Sequence, residues 1–171
     1  IAPEAAILFD PYLSDSLSRK YAATDKPHTR LTERVVAPGR LAGIDLVTSS
    51  HNHTDHLDAE TLLPLFEANP RAKLLLPRAN RTFALDRLGA VGSRLLEIDA
   101  GETIEAGAVR CTGIPAAHNT VERDESGRCR SMRSRSMTVS SRPRSMARPA
   151  MADGASGTGS SGRSGAISAT S

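Results

Sequence analysis

The chain has 171 residues and a formal net charge of +3, but its composition breaks at Arg130. All 17 leucines and all five aromatics precede the break, whereas the 41 residues after it hold 12 serines, 6 arginines and, as large aliphatics, only Val139 and Ile167. The excess of positive charge sits in that second stretch, so it marks neither a nucleic-acid-binding domain nor a membrane-binding one.

Along the first stretch, the apolar run Ala6-Ile7-Leu8-Phe9 closed by Asp10-Pro11 predicts a buried strand and a turn. Residues 14–40 are polar and broken by Pro27, Pro38 and Gly39, which predicts a long loop with little helix. Ile44–Thr48 reads as a second strand. Asp58 is a suitable N-cap for a helix over Ala59–Ala68, with Glu60 in the first turn, Pro64 as a weakening residue and Asn69-Pro70 as its stop. A third strand over Lys73–Leu76, a helix over Ala79–Leu88 ended by Gly89, and strands over Leu95–Ile98, Thr103–Glu105 and Ala108–Ile114 follow. The last two meet at a turn around Ala106-Gly107. Strands that alternate with helices and then run consecutively define a layered α/β domain over 1–130.

Residues 131–171 have too little to bury to offset the entropy of ordering, and are expected to form a disordered Ser/Arg/Gly/Ala tail. Their composition suits out-of-frame translation of a GC-rich gene. The competing reading is a basic segment that binds RNA or another polyanion, which the lack of aromatic stacking residues disfavours. Cys111 and Cys129 form no metal or redox motif and are expected as free thiols in a reducing, cytoplasmic setting. No apolar run is long enough for a membrane span.

The chemistry concentrates in His51-Asn52-His53-Thr54-Asp55-His56. In an extended segment His51 and His53, two apart, point to one side and can grip one metal. Asp55 and His56 can present a carboxylate and a third imidazole to a second metal nearby. Imidazole and carboxylate donors suit zinc, manganese or iron, and the absence of a cysteine argues against a closed structural zinc site. His118 follows a predicted strand, as a ligand brought to the same sheet edge would, but a lone histidine there is more often a hydrogen-bonded or exposed residue than a ligand. His28 lies in the polar loop, and nothing in its spacing requires a role.

The strand ending in Ser49-Ser50, followed by His51-Asn52-His53-Thr54-Asp55-His56-Leu57-Asp58, resembles the metallo-β-lactamase superfamily. Together with Phe9-Asp10-Pro11-Tyr12-Leu13-Ser14-Asp15 and the segment 113–119, it resembles the branch that holds L-ascorbate-6-phosphate lactonase-like hydrolases and N-acyl-phosphatidylethanolamine phospholipase D. The resemblance implies that His51, His53 and His118 bind a first metal, that Asp55 and His56 bind a second, and that Asp55 also orients the attacking water. It implies for Asp10 a bracing role behind the ligands. The implied activity is metal-assisted hydrolysis of a small phosphorylated or lactone substrate, with zinc or manganese as cofactor.

The family fold is an αββα sandwich of two similar halves, of which 1–130 corresponds to the first. No histidine follows His118. The expectation is therefore a chain with at most one tightly bound metal, and the rival reading is a non-catalytic half-domain with one apolar sheet face left exposed.

Overall fold

A computed structural model of the chain describes residues 5–117, 120–132 and 140–141. Strands β1 (Ile7–Leu8), β2 (Leu46–Thr48), β3 (Lys73–Pro77) and β4 (Leu95–Ile98) form one parallel sheet in chain order. Their registers include Leu8 opposite Val47, Val47 opposite Leu74, and Leu74 opposite Leu95. Helices α1 (Ser16–Tyr21), α2 (Ala59–Ala68) and α3 (Arg81–Leu88) lie in the connections. A second sheet is antiparallel: β5 (Thr103–Ala106), β6 (Val109–Thr112) and β7 (Ser140–Ser141). The layered α/β class and most of the expected elements stand.

The central strands β2 and β3 are short, mainly apolar and buried runs because both sheet faces are covered there, while β1 and β4 are only partly buried. Val47, Leu74 and Leu76 face one side and pack with Leu62, Leu65, Phe66 and Leu88 of the helices. Leu46, Leu75 and Ile98 face the other and pack with Val109 and Cys111 of β6 and with Met132. Strand alternation therefore builds a helix layer, a sheet and a second sheet around two cores. Full burial of each leucine contributes roughly 1.5–3 kcal/mol, so the side of a residue along β3 decides which layer it stabilises.

The stretch 14–40 is mostly loop with little helix, as expected; its one α-helix, α1, is tied down where Ser16 Oγ donates to Asp58 Oδ1 (2.9 Å) and Leu17 N–H donates to Tyr12 Oη (2.9 Å). Two expectations need correction. The apolar sheet face is not left exposed, because the β5–β6 hairpin supplies cover from within the same stretch of chain. The compositional break at Arg130 is not the end of the packed body. Ser131 and Met132 are buried, and the thioether of Met132 lies against Gly113, where a Cβ would meet Asp99 O at 2.4 Å and Met132 Sδ at 3.2 Å. Only glycine fits there. The remainder of the tail reading falls on 133–139 and 142–171, outside the described residues.

Helix α2 is placed firmly. Asp58 caps it by accepting from Thr61 N (3.1 Å) and Thr61 Oγ1 (2.5 Å), and the helix runs through Pro64. Cys111 and Cys129 are free and buried, and burial pushes the Cys111 thiol up. Among the described residues no helix is long and apolar enough to cross a membrane.

Candidate metal centre

The C-terminal ends of β1 and β2 lie side by side, and the two segments leaving them form the site. The chain after β2 does not stay extended: residues 49–57 run through bends and a turn in which His53 O accepts from His56 N (3.0 Å) and Leu57 N (2.8 Å). Curvature rather than strand alternation thus brings the histidines together. The ring centroids of His51 and His53 are 4.5 Å apart, and those of His51 and His56 are 3.9 Å apart.

One ligand atom from each of His51, His53 and Asp55 lies within 4.8 Å of the others, with His51 buried and the other two exposed. His56 Nε2 is 3.2 Å from Asp55 Oδ2, so the third imidazole borders the same carboxylate. Burial, joined by the neighbouring His56 and His53, lowers His51 to about 4. Its ring is neutral at neutral pH and keeps a lone pair for a cation. Two imidazoles and a carboxylate at this separation are a donor set that fits a divalent metal such as zinc or manganese, allowing for contraction to bond lengths near ~2.0–2.2 Å.

Asp10 organises the centre from behind. Its Oδ1 accepts from Thr48 Oγ1 (2.7 Å) and Ser50 N (3.0 Å), and its Oδ2 lies 2.7 Å from His56 Nδ1. Burial pushes the Asp10 carboxyl up, but the hydrogen bonds from His56, Ser50 and Thr48 outweigh it and leave the group below the usual carboxylate range. An ionised carboxylate has no proton to give, so His56 Nδ1 carries the proton in this pair. On His56, burial works against the charged ring, yet Asp10 and Asp55 together raise its value. Asp10 holds this position at φ 41°, a left-handed conformation that aspartate tolerates better than most residues.

Ser50, which carried no assigned role in the sequence, places Oγ 3.2 Å from His51 Nδ1 and 3.3 Å from His56 Nδ1. Arg87, Lys20 and Tyr21 were equally unsignalled; with His53 and Asp55 they line a cleft of about 370 Å³. A basic residue near a helix end has many ordinary uses, so no spacing pattern could have flagged them. His28 is not part of the cluster: its Nδ1 lies 3.4 Å from Ser18 Oγ, and its ring meets Tyr12 edge-on. His118 lies outside the described residues.

The family profile described as "Beta-lactamase superfamily domain" matches residues 5–140, and the chain belongs to that superfamily of metal-dependent hydrolases. Two solved structures show partial similarity. The crystal structure of CmlA, a diiron β-hydroxylase from Streptomyces venezuelae, is 27% identical over 52% of this chain and 17% of that one, with a TM-score of 0.38. A point mutant of the CmlA β-hydroxylase is 29% identical over 43% of this chain and 15% of that one, with a TM-score of 0.34. The chain thus spans less than a fifth of the length of these two proteins. No curated protein matches it.

Proposed function

We propose that this domain carries out metal-dependent hydrolysis of a lactone, ester or phosphodiester bond in a small substrate. The observation that carries the reading is the convergence of His51, His53 and Asp55 beside the cleft. A divalent ion held there supplies Lewis acidity and an acidified water. His51, through its neutral imidazole, and His53 would hold the first ion, and the family resemblance adds His118 to that set. Support for His118 comes from the resemblance of 113–119 to the family; before it, Pro115 pairs with Met132, whose N–H donates to Ser50 O (2.8 Å).

In the complete family fold Asp55 and His56 would serve a second ion, whereas this chain is expected to hold at most one tightly, with Asp55 converging on His51 and His53. Asp10 keeps the His56 proton on Nδ1 and so leaves Nε2 to face the site. Asp55, half exposed to the cleft, accepts a hydrogen bond from the attacking water at a carboxylate oxygen and orients it. The resemblance of Phe9–Asp15 and of 113–119 to the lactonase-like branch supports lactone or phosphorylated substrates within the class.

Metal analysis and a turnover panel test this reading. Zinc or manganese should copurify or titrate in, be lost in His53→Ala, and support hydrolysis of a lactone, an aryl ester or bis(p-nitrophenyl) phosphate. Full metal loading with no hydrolysis of any of the three would replace it with a metal-binding domain that does no chemistry.

A further inference from the structure

Arg87 lies in the last turn of α3, next to the buried Leu88 that anchors the helix in the core. A basic residue at that place is favoured by the helix dipole and would ordinarily extend into water. Here it turns instead onto the metal-site loop. Its Nη1 donates to Asn52 O at 2.7 Å and to Leu57 O at 3.1 Å. The two carbonyls flank the stretch 53–56, which carries His53, Asp55 and His56. Within that stretch the turn is closed by bonds from His56 N and Leu57 N to His53 O, and these leave the Asn52 and Leu57 carbonyls to be satisfied from outside. One guanidinium nitrogen closes both flanks with charge-assisted bonds, which are stronger than neutral ones.

We infer that Arg87 is a positioning residue that clamps the Asn52–Leu57 loop and thereby sets the spacing of His53 and Asp55. The inference rests on the metal-centre reading for its consequence, but not for the clamp itself.

Electrostatics gives this role a sign of its own. A guanidinium lining the same cleft as His53 and Asp55 repels an incoming cation, so if charge were its only effect, its removal would tighten metal binding. A clamp predicts the opposite. Without it the loop must be ordered at the expense of binding, and supporting groups of this kind typically change affinity by about 10–100-fold.

The test compares wild type with Arg87→Met, which keeps length and removes the donor, and with Arg87→Lys, which keeps charge and a donor. Cobalt(II) titration followed by visible absorption reads metal affinity and ligand geometry. Hydrogen exchange at the His56 and Leu57 amides, with β3 amides as the control, reads the loop without metal. Arg87→Met should weaken cobalt binding about tenfold or more and alter the absorption band. It should also speed exchange at the two loop amides while β3 is unchanged, with Arg87→Lys recovering most of both effects. Unchanged loop exchange, or unchanged or tighter cobalt binding, would overturn the proposal. If wild type takes up no cobalt, the metal reading fails, and loop exchange alone decides the clamp.

Discussion

Two charged clusters sit at the C-terminal edge of the same parallel sheet, and they are built to opposite ends. Where β1 and β2 end, Asp10 and Asp55 face His51, His53 and His56, side chains whose charge depends on protonation. Beyond β3 and β4, Arg78 Nε donates to Asp99 Oδ2 (2.8 Å), its Nη2 donates to Glu102 Oε2 (3.0 Å), and its Nη1 reaches Glu97 Oε2 (3.5 Å). Arg81 also pairs with Glu97. A guanidinium is permanently charged and fills the second cluster with its own counter-ion. The first offers imidazole and carboxylate donors beside a cleft, and its buried His51 ring is neutral at neutral pH. Both clusters are rich in carboxylates, so acidity does not separate a structural hub from a metal site; what the carboxylates are paired with does.

The sharpest way to break this contrast is to remove a donor at each end and follow metal affinity. His53→Ala should weaken zinc or cobalt binding by more than about 100-fold, beyond the 10–100-fold typical of a supporting partner. Arg78→Met should leave it unchanged. Equal losses in the two variants, read by titration calorimetry, would show that metal binding does not localise to the β1–β2 end.

Next in size is Asp10→Asn. Three donors, from Thr48, Ser50 and His56, converge on the Asp10 carboxylate, and asparagine must turn its own NH₂ toward one of them. Asparagine tolerates the left-handed backbone as well as aspartate does, so the change reports on the side chain alone. We expect a loss of about 1–3 kcal/mol in stability from the mismatched buried donor. Metal affinity should fall by about 10–100-fold. Chemical denaturation and metal titration on the same samples check both.

The two ends also differed in how far the sequence disclosed them. β2, β3, β4 and α2 were legible because their signals are local: continuous apolar runs, an Asp58 cap, an Asn69-Pro70 stop. Helix α1 was not, because Ser-Leu-Ser-Arg-Lys-Tyr has one buried residue, Leu17, and is held by partners from Tyr12, Asp58 and Glu60. The histidine cluster was legible because its donors are contiguous. Asp10 is 46 residues from His56, and only resemblance to a family pointed to it; Arg87 gave no signal, since its partners Asn52 and Leu57 lie 30 residues or more away, nor did Met132, whose N–H reaches Ser50 O. A compositional break likewise misplaced the edge of the packed body, because Met132 is captured by a core built earlier in the chain.

At the β3–β4 end, Arg78→Met would leave Glu97, Asp99 and Glu102 without the cation that joins them. The cluster is about one-third exposed, so solvent limits the loss to roughly 1 kcal/mol. Added salt should shrink the difference between wild type and variant, because screening weakens the pairs that remain to be lost. A loss that grows with salt would mean that the arginine acts through packing of its stem rather than through charge.

The smallest effect isolates one carboxylate of that hub. Glu102 is held below its ordinary value of 4.5 chiefly by the backbone N–H of Asp99, which donates to Oε2 at 2.8 Å, and then by Arg78. A group with a lowered folded-state value binds its proton more readily in the unfolded chain. Its contribution is therefore fully present above 4.5 and is lost as pH falls through and below that value. With a side chain 37% exposed, the contribution is at most several tenths of a kcal/mol to about 1 kcal/mol. Glu102→Gln should flatten the acid limb of the stability–pH curve without moving stability at higher pH by more than that amount. High salt should weaken the Arg78 part and spare the Asp99 bond, which is short-ranged and fixed by the backbone. If the acid limb keeps its full slope in Glu102→Gln, the protons taken up there belong to other carboxylates, and the hub is held by Asp99 and Glu97 alone.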